Sequence, residues 1–331
     1  MRKKMERKHY KAIDGLRTIA CIGIVIMHVR ANTTYDIQGF LYNRVISSLT
    51  DFVFLFMVIS AFGMCCGYFD RMINNQISLE DFYAKRYQKI LPFFACLVIL
   101  DVILSHNLKA VIEGFADITL LFGLFSNDIS VIGVGWFLGL IFAFYIIFPF
   151  YCVLIKTKKR AWCLFIIAVF MNFVFGNYFE LNRTNIIYSL CYLLAGGLIY
   201  HYQNELAQFS QKYSWASFSF ILLTVIAYYC FGGNTITILL ITAAMLTFAL
   251  GRTHGILQNR FMTFFSSISM EIYLSHMVVF RIAEKCGLQE VIGDGWLQYI
   301  FTVLITICGA IIFSIILKRG IETVEGALNR K

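Results

Sequence analysis

An all-α, polytopic membrane fold is predicted by three features of this sequence. Its 331 residues are 59% apolar and only 14% charged, where a soluble domain carries about 25% charge. The apolar residues gather into runs that approach the roughly 20 residues a spanning helix needs. The basic residues crowd into alternate gaps between those runs, as the positive-inside rule requires. The only prolines are Pro92 and Pro149, and no Ser/Pro/Gly-rich linker divides the chain. One transmembrane domain over 1–331, with no appended soluble domain, is the expectation. The net charge of +9 does not point to nucleic acid, because the cations lie between apolar runs and not in a patch with interleaved aromatics.

The first predicted span covers residues 16–30, behind a basic leader, Met1–Lys11. Arg17 and His28 interrupt it, and no small-x-small cleavage site precedes Asn32, which argues against a removed signal peptide. Spans at 46–68 and 90–105 follow. The stretch 115–126 is the shortest and contains Asp117, so it reads as a re-entrant or surface helix. Further spans lie at 134–155, 162–178, 186–201, 215–231, 235–250, 266–283 and 296–317. The sequence thus predicts about ten transmembrane helices. With the N-terminus inside, most Lys and Arg fall in inner segments: the leader, Arg71, Lys85, Arg86 and Lys89, then Lys156 and Lys158–Arg160, Lys212, Arg252 and Arg260, and finally Lys318, Arg319, Arg330 and Lys331. Arg30, Arg44, Lys109, Arg183, Arg281 and Lys285 flank the outer side. Both termini are therefore predicted to be cytoplasmic.

Ionisable groups inside a membrane helix are costly and mark function. Arg17 and His28 are eleven residues apart, which is about 20° off three full turns, so both point to one face roughly 16 Å apart along the axis. Asp14 falls close to the same face. A neutral imidazole can take a proton from an attacking hydroxyl near neutral pH; the bland alternative is a histidine packed against a neighbouring carbonyl. Arg17 either meets an anionic ligand or snorkels to lipid phosphate. Arg86 and Lys89, in the stretch Phe82–Pro92, share a helix face. They read as an inner-surface anchor or as a site for phosphates entering from the cytosol. Glu271, Tyr273 and His276 form a third group inside the ninth span, and Asp51 and Asp101 are further acids near outer helix ends. Any of these acids, or His276, could orient His28. Trp136 by default belongs to an aromatic belt. Ten cysteines, with Cys65–Cys66 the only close pair, show no metal-site spacing, and no metal is expected.

Together these motifs resemble the acyltransferase-3 family of integral membrane acyltransferases. Ile13-Asp-Gly-Leu-Arg17-Thr-Ile-Ala20 with Met27-His28 is similar to its opening signature, including the Arg-to-His spacing. Phe54-Leu-Phe-Met-Val-Ile-Ser60-Ala-Phe62 resembles its second-helix stretch and Phe82–Pro92 its basic inner loop. Trp136-Phe-Leu138 and Ile272-Tyr-Leu-Ser-His276 match later landmarks in order. Ala61 replaces a usual Gly, Lys89 replaces the second Arg of the inner-loop pair, no Glu follows Leu138, and Glu322 lacks its usual Pro. The resemblance implies an O-acyltransferase, with acetyl as the expected group. It would use acyl-CoA from the cytosol and acylate a hydroxyl of a surface polysaccharide or lipid-linked glycan in a bacterial cell membrane. His28 and Arg17 would be catalytic, and Arg86, Lys89 and Arg17 would hold coenzyme phosphates. Asp14, Asp51, Trp136, Tyr273 and His276 are the candidates to support them. The competing class is a glycan or small-molecule transporter or flippase, whose paths are also lined by intramembrane ionisable residues; no repeat with broken helices of that kind is evident.

Overall fold

The computed structural model describes residues 10–105, 107–120, 122 and 133–328. The leader before Tyr10, residues 106, 121 and 123–132 with the end of the 115–126 segment, and residues 329–331 with Arg330 and Lys331 lie outside the described residues. Among the described residues every regular element is a helix. In chain order these are α1 (Lys11–Ala31), α2 (Phe52–Met64), α3 (Asp70–Ile73), α4 (Leu79–Ser105), α5 (Leu108–Ile118), α6 (Trp136–Leu154) and α7 (Lys158–Tyr178). Then follow α8 (Ile186–His201), α9 (Gln203–Lys212), α10 (Ser214–Phe231), α11 (Thr235–Leu250), α12 (Arg260–Ser267), α13 (Ser269–Lys285) and α14 (Trp296–Leu328).

Among the described residues seven helical segments are long and apolar enough to cross a bilayer: α1, the continuous rod Leu41–Ile73 that contains α2 and α3, α4, α6, α7, α10 and α14. Two more, α8 and α11, are apolar but shorter, at 16 residues each. Phe170 and Phe173 of α7 and Leu223 and Ile226 of α10 stay more than half exposed. Such surfaces suit lipid and would be a liability in water. The protein is a multi-pass membrane protein.

Local chemistry explains the boundaries. Asn107, Thr157, Asn185 and Asn234 cap the first turns of α5, α7, α8 and α11 through their side-chain oxygens. Pro92 and Pro149 sit inside α4 and α6, where neighbouring helices can satisfy the freed carbonyls. Two predictions shift. The segment expected at 115–126 is helical earlier, over Leu108–Ile118, because Asn107 supplies the cap: its side chain accepts from the Ala110 N–H at 2.7 Å. The 266–283 span is not one helix, since α12 and α13 part at Ile268. There the Ser267 and Ser269 hydroxyls bond back to the carbonyls of Phe264 and Ser266 and compete with the helical ladder.

The chain divides into two compact units. The first holds the start of α1 up to Arg17, residues 54–86, and residues 140–263. Its interior is aromatic, with Phe62, Phe82, Phe142, Phe144, Phe148 and Tyr192 fully buried. Here α8 crosses α2 so closely that a Cβ on Gly196 would lie 2.5 Å from the Val58 carbonyl oxygen, the small-residue contact that packs membrane helices. The second unit holds residues 18–53, 87–139 and 264–331. Val29, Ile37, Tyr42, Ile46, Phe280, Tyr299 and Val303 form an apolar cluster in it.

Candidate functional site

Helix α1 runs without interruption from Lys11 to Ala31 and carries both Arg17 and His28. Arg17 closes the part of α1 that belongs to the first unit, and His28 lies in the part that belongs to the second.

In the first unit Arg17 Nη1 meets Asp14 Oδ1 at 3.3 Å. Asp14 is thus a partner of Arg17. A Cβ on Gly63 of α2 would come 3.3 Å from Arg17 Nη2, so the absence of a side chain there gives the guanidinium its room. On α4 the buried Phe82 and Ile90 sit one turn before and after Arg86, which turns Arg86 inward with them. Its Nη2 donates to the Tyr68 hydroxyl at 2.6 Å and its Nη1 to Met64 Sδ at 3.6 Å. The guanidinium stands 4.8 Å from the centre of the Tyr68 ring and 5.7 Å from that of Tyr145. Arg71 stacks on Tyr68 as well, at 5.4 Å. The Tyr145 hydroxyl lies in the field of both Arg86 and Arg17. Three arginines and two tyrosines thus gather around one spot, with Asp14 on its edge. Arg86 Nε is buried there with no hydrogen-bond partner, and an anionic oxygen would satisfy it. Phosphate groups fit this donor set. Lys85 and Lys89 on the same helix are exposed.

In the second unit the half-buried His28 ring meets the fully buried His276 of α13 edge to face, centroids 5.0 Å apart and planes at 90°. His276 Nδ1 lies 2.7 Å from the Tyr273 carbonyl oxygen. Tyr273 is itself fixed: its hydroxyl donates to the Val134 carbonyl at 3.0 Å, and its ring packs on Phe137 at 5.5 Å. Trp136, the neighbour of Phe137, opens α6. The landmarks at 136–138 and 272–276 therefore meet through Phe137 and Tyr273, and the second reaches His28 through His276. Glu271, one turn earlier on α13, pairs with Lys318 of α14 at 3.1 Å. Asp51 ends the short turn before α2, and Asp101 lies half-buried on α4.

Sequence reasoning passed over Tyr68, Tyr145, Arg71 as a site residue and Lys318 as the partner of Glu271. Tyr68 sits in a π-helical turn, Cys65–Phe69, which shifts the helical phase that pattern reading relies on. For Tyr145 the only available signal was a hydroxyl in an otherwise apolar run.

Residues 10–315 match the family model described as an acyltransferase domain, a stretch that takes in every residue of the two clusters just described except Lys318. No curated protein and no solved structure matches the chain.

Proposed function

The chain belongs to the acyltransferase-3 family, and from that membership we propose that it moves an acyl group, with acetyl the expected one, from cytosolic acyl-CoA to a glycan hydroxyl. The acceptor is a surface polysaccharide or a lipid-linked saccharide, and the setting is a bacterial plasma membrane. Ten crossings with both termini in the cytoplasm complete the reading: the seven long helices, the two shorter apolar ones and α13. The observation that carries the proposal is the gathering of Arg86, Arg71 and Arg17 around Tyr68 and Tyr145, with Arg86 Nε buried and lacking a partner.

Acyl-CoA brings the thioester, whose carbonyl carbon the acceptor oxygen attacks. Arg86, Arg71 and Arg17 bind the coenzyme phosphates, with Lys89 at the inner surface. Arg86 Nε gains the partner it lacks, and the Tyr68 and Tyr145 rings hold its fork in place. His28 takes the proton of the acceptor hydroxyl as the oxygen attacks. The carbon–sulfur bond breaks, and the same proton returns from His28 to the departing thiolate. The products are the acylated glycan and free coenzyme A.

Mass spectrometry of surface glycan from cells with and without the protein tests the reaction. A gain of one acyl group per modified repeat, only with the protein, is expected. His28→Ala should accumulate in the membrane normally and leave the glycan unmodified. Normal acylation by that variant would remove His28 from the chemistry, and transport of glycan without a covalent product would replace the reading altogether.

A further inference from the structure

We propose that His276 is the positioning residue for His28, accepting the His28 ring N–H on its own Nε2. The inference rests on the reading of His28 as general base. A general base of this kind is usually oriented by a carboxylate. Here Glu271, on the same helix as His276, is paired with Lys318 of α14. An imidazole can do the same work if its lone pair faces the base, and three observations say that it does.

The first is the tautomer. A carbonyl oxygen can only accept, so the 2.7 Å contact with Tyr273 puts the proton of His276 on Nδ1. In the neutral ring Nε2 is then an acceptor. The second is burial. His276 is fully buried, and its Nε2 has no hydrogen-bond partner, a cost that native interiors rarely leave standing. The third is distance. Hydrogen-bonded nitrogens sit about 3 Å apart, and adding two ring radii brings the centroids of such a pair to about 5 Å; the rings of His28 and His276 stand 5.0 Å apart. A small rotation of either ring closes the bond. Tyr273, anchored at both ends to Val134 and Phe137, keeps the carbonyl in place.

The consequence is chemical. Donating its N–H to His276 leaves the other nitrogen of His28 with its lone pair for the acceptor hydroxyl. Once that proton has been taken, the N–H of the His28 imidazolium makes a charge-assisted bond to His276, which is stronger than the neutral one. The proton then goes to the thiolate, and His276 begins and ends the cycle with its proton on Nδ1.

The test uses full-length protein in lipid vesicles with acetyl-CoA and acceptor glycan, comparing His276→Gln, His276→Met and His28→Ala. The glutamine oxygen can stand near the position of Nε2 and accept, whereas methionine fills the space with an apolar chain. Gln should keep at least about ten times the kcat of Met, and Met should fall about a hundredfold below the native protein, as loss of a supporting partner does elsewhere. KM for acetyl-CoA should stay the same in both. Equal activity of Gln and Met would overturn the proposal while leaving the base reading intact, provided His28→Ala is inactive. Full activity of His28→Ala would overturn both. Should the variants fail to insert, nitrogen NMR of histidine-labelled native protein decides. An unprotonated, hydrogen-bonded Nε2 on His276 supports the pair, and a protonated Nε2 overturns it.

Discussion

Arg86 shows how much a single side chain can be asked to do. Its fork reaches Met64 and Tyr68, its plane faces two tyrosine rings, and one buried nitrogen is left over. A lysine keeps the charge but loses the fork and the stacking. Arg86→Lys should therefore raise KM for acyl-CoA about tenfold or more, since hydrogen bonds to charged groups contribute about 1.5–3 kcal/mol and 1.4 kcal/mol is a factor of ten. Its kcat at saturation should change far less. Steady-state kinetics at varied acyl-CoA check this, and an unchanged KM would take Arg86 out of the donor site. At this scale the sequence was partly legible. The eleven-residue interval from Arg17 to His28 needed only the period of a helix to be read. The contacts of His276, by contrast, depend on α13 returning to α1 some 250 residues later, and no local period carries that information.

Elements were most legible where composition and capping agree. The predicted 235–250 span coincides with α11 (Thr235–Leu250). Asn234 accepts from the Ile236 and Thr237 N–H groups, and the Thr237 hydroxyl in turn accepts from the Asn234 N–H. Removing that reciprocal cap with Asn234→Ala should destabilise the helix by about 1 kcal/mol. Thermal unfolding in detergent should show a lower midpoint, while KM for acyl-CoA stays unchanged, because α11 contributes nothing to either histidine or arginine cluster. A variant with native stability would mean that packing alone holds this start. Legibility failed where the backbone leaves regular α-helical geometry with no proline to announce it. The break at Ile268 lies among serines, the π turn Leu41–Ile46 carries Asn43 and Arg44, and the π turn Cys65–Phe69 contains Gly67, which alone does not specify such a turn. Only the serines around Ile268 hinted at their neighbour's departure from the helix.

At the scale of the whole molecule, the number of crossings decides which side each end occupies. Seven crossings, the count that length and apolarity alone give, would put the two ends of the chain on opposite sides. Ten would return the chain to the side it started from. The charges discriminate between them. Lys318 and Arg319 follow the apolar part of α14; with the N-terminus inside, a ten-crossing path would put them on the cytoplasmic side with Lys85 and Arg86, as the positive-inside rule asks, and a seven-crossing path would put them outside, whereas Lys158–Arg160 at the start of α7 fall inside on either path. The short helices α8 and α11 can still cross, because a bilayer thins around a short span at modest cost. A cysteine scan tests the path. In a background with the native cysteines replaced by Ser or Ala, Lys159→Cys and Arg319→Cys should react with a membrane-impermeant maleimide only after the cells are opened. The native Cys286, exposed just after α13 and restored alone in that background, should react in intact cells. Labelling of Arg319→Cys from outside would fix an odd number of crossings and would put the last helix, with the ion pair between Glu271 and Lys318, the other way up in the membrane.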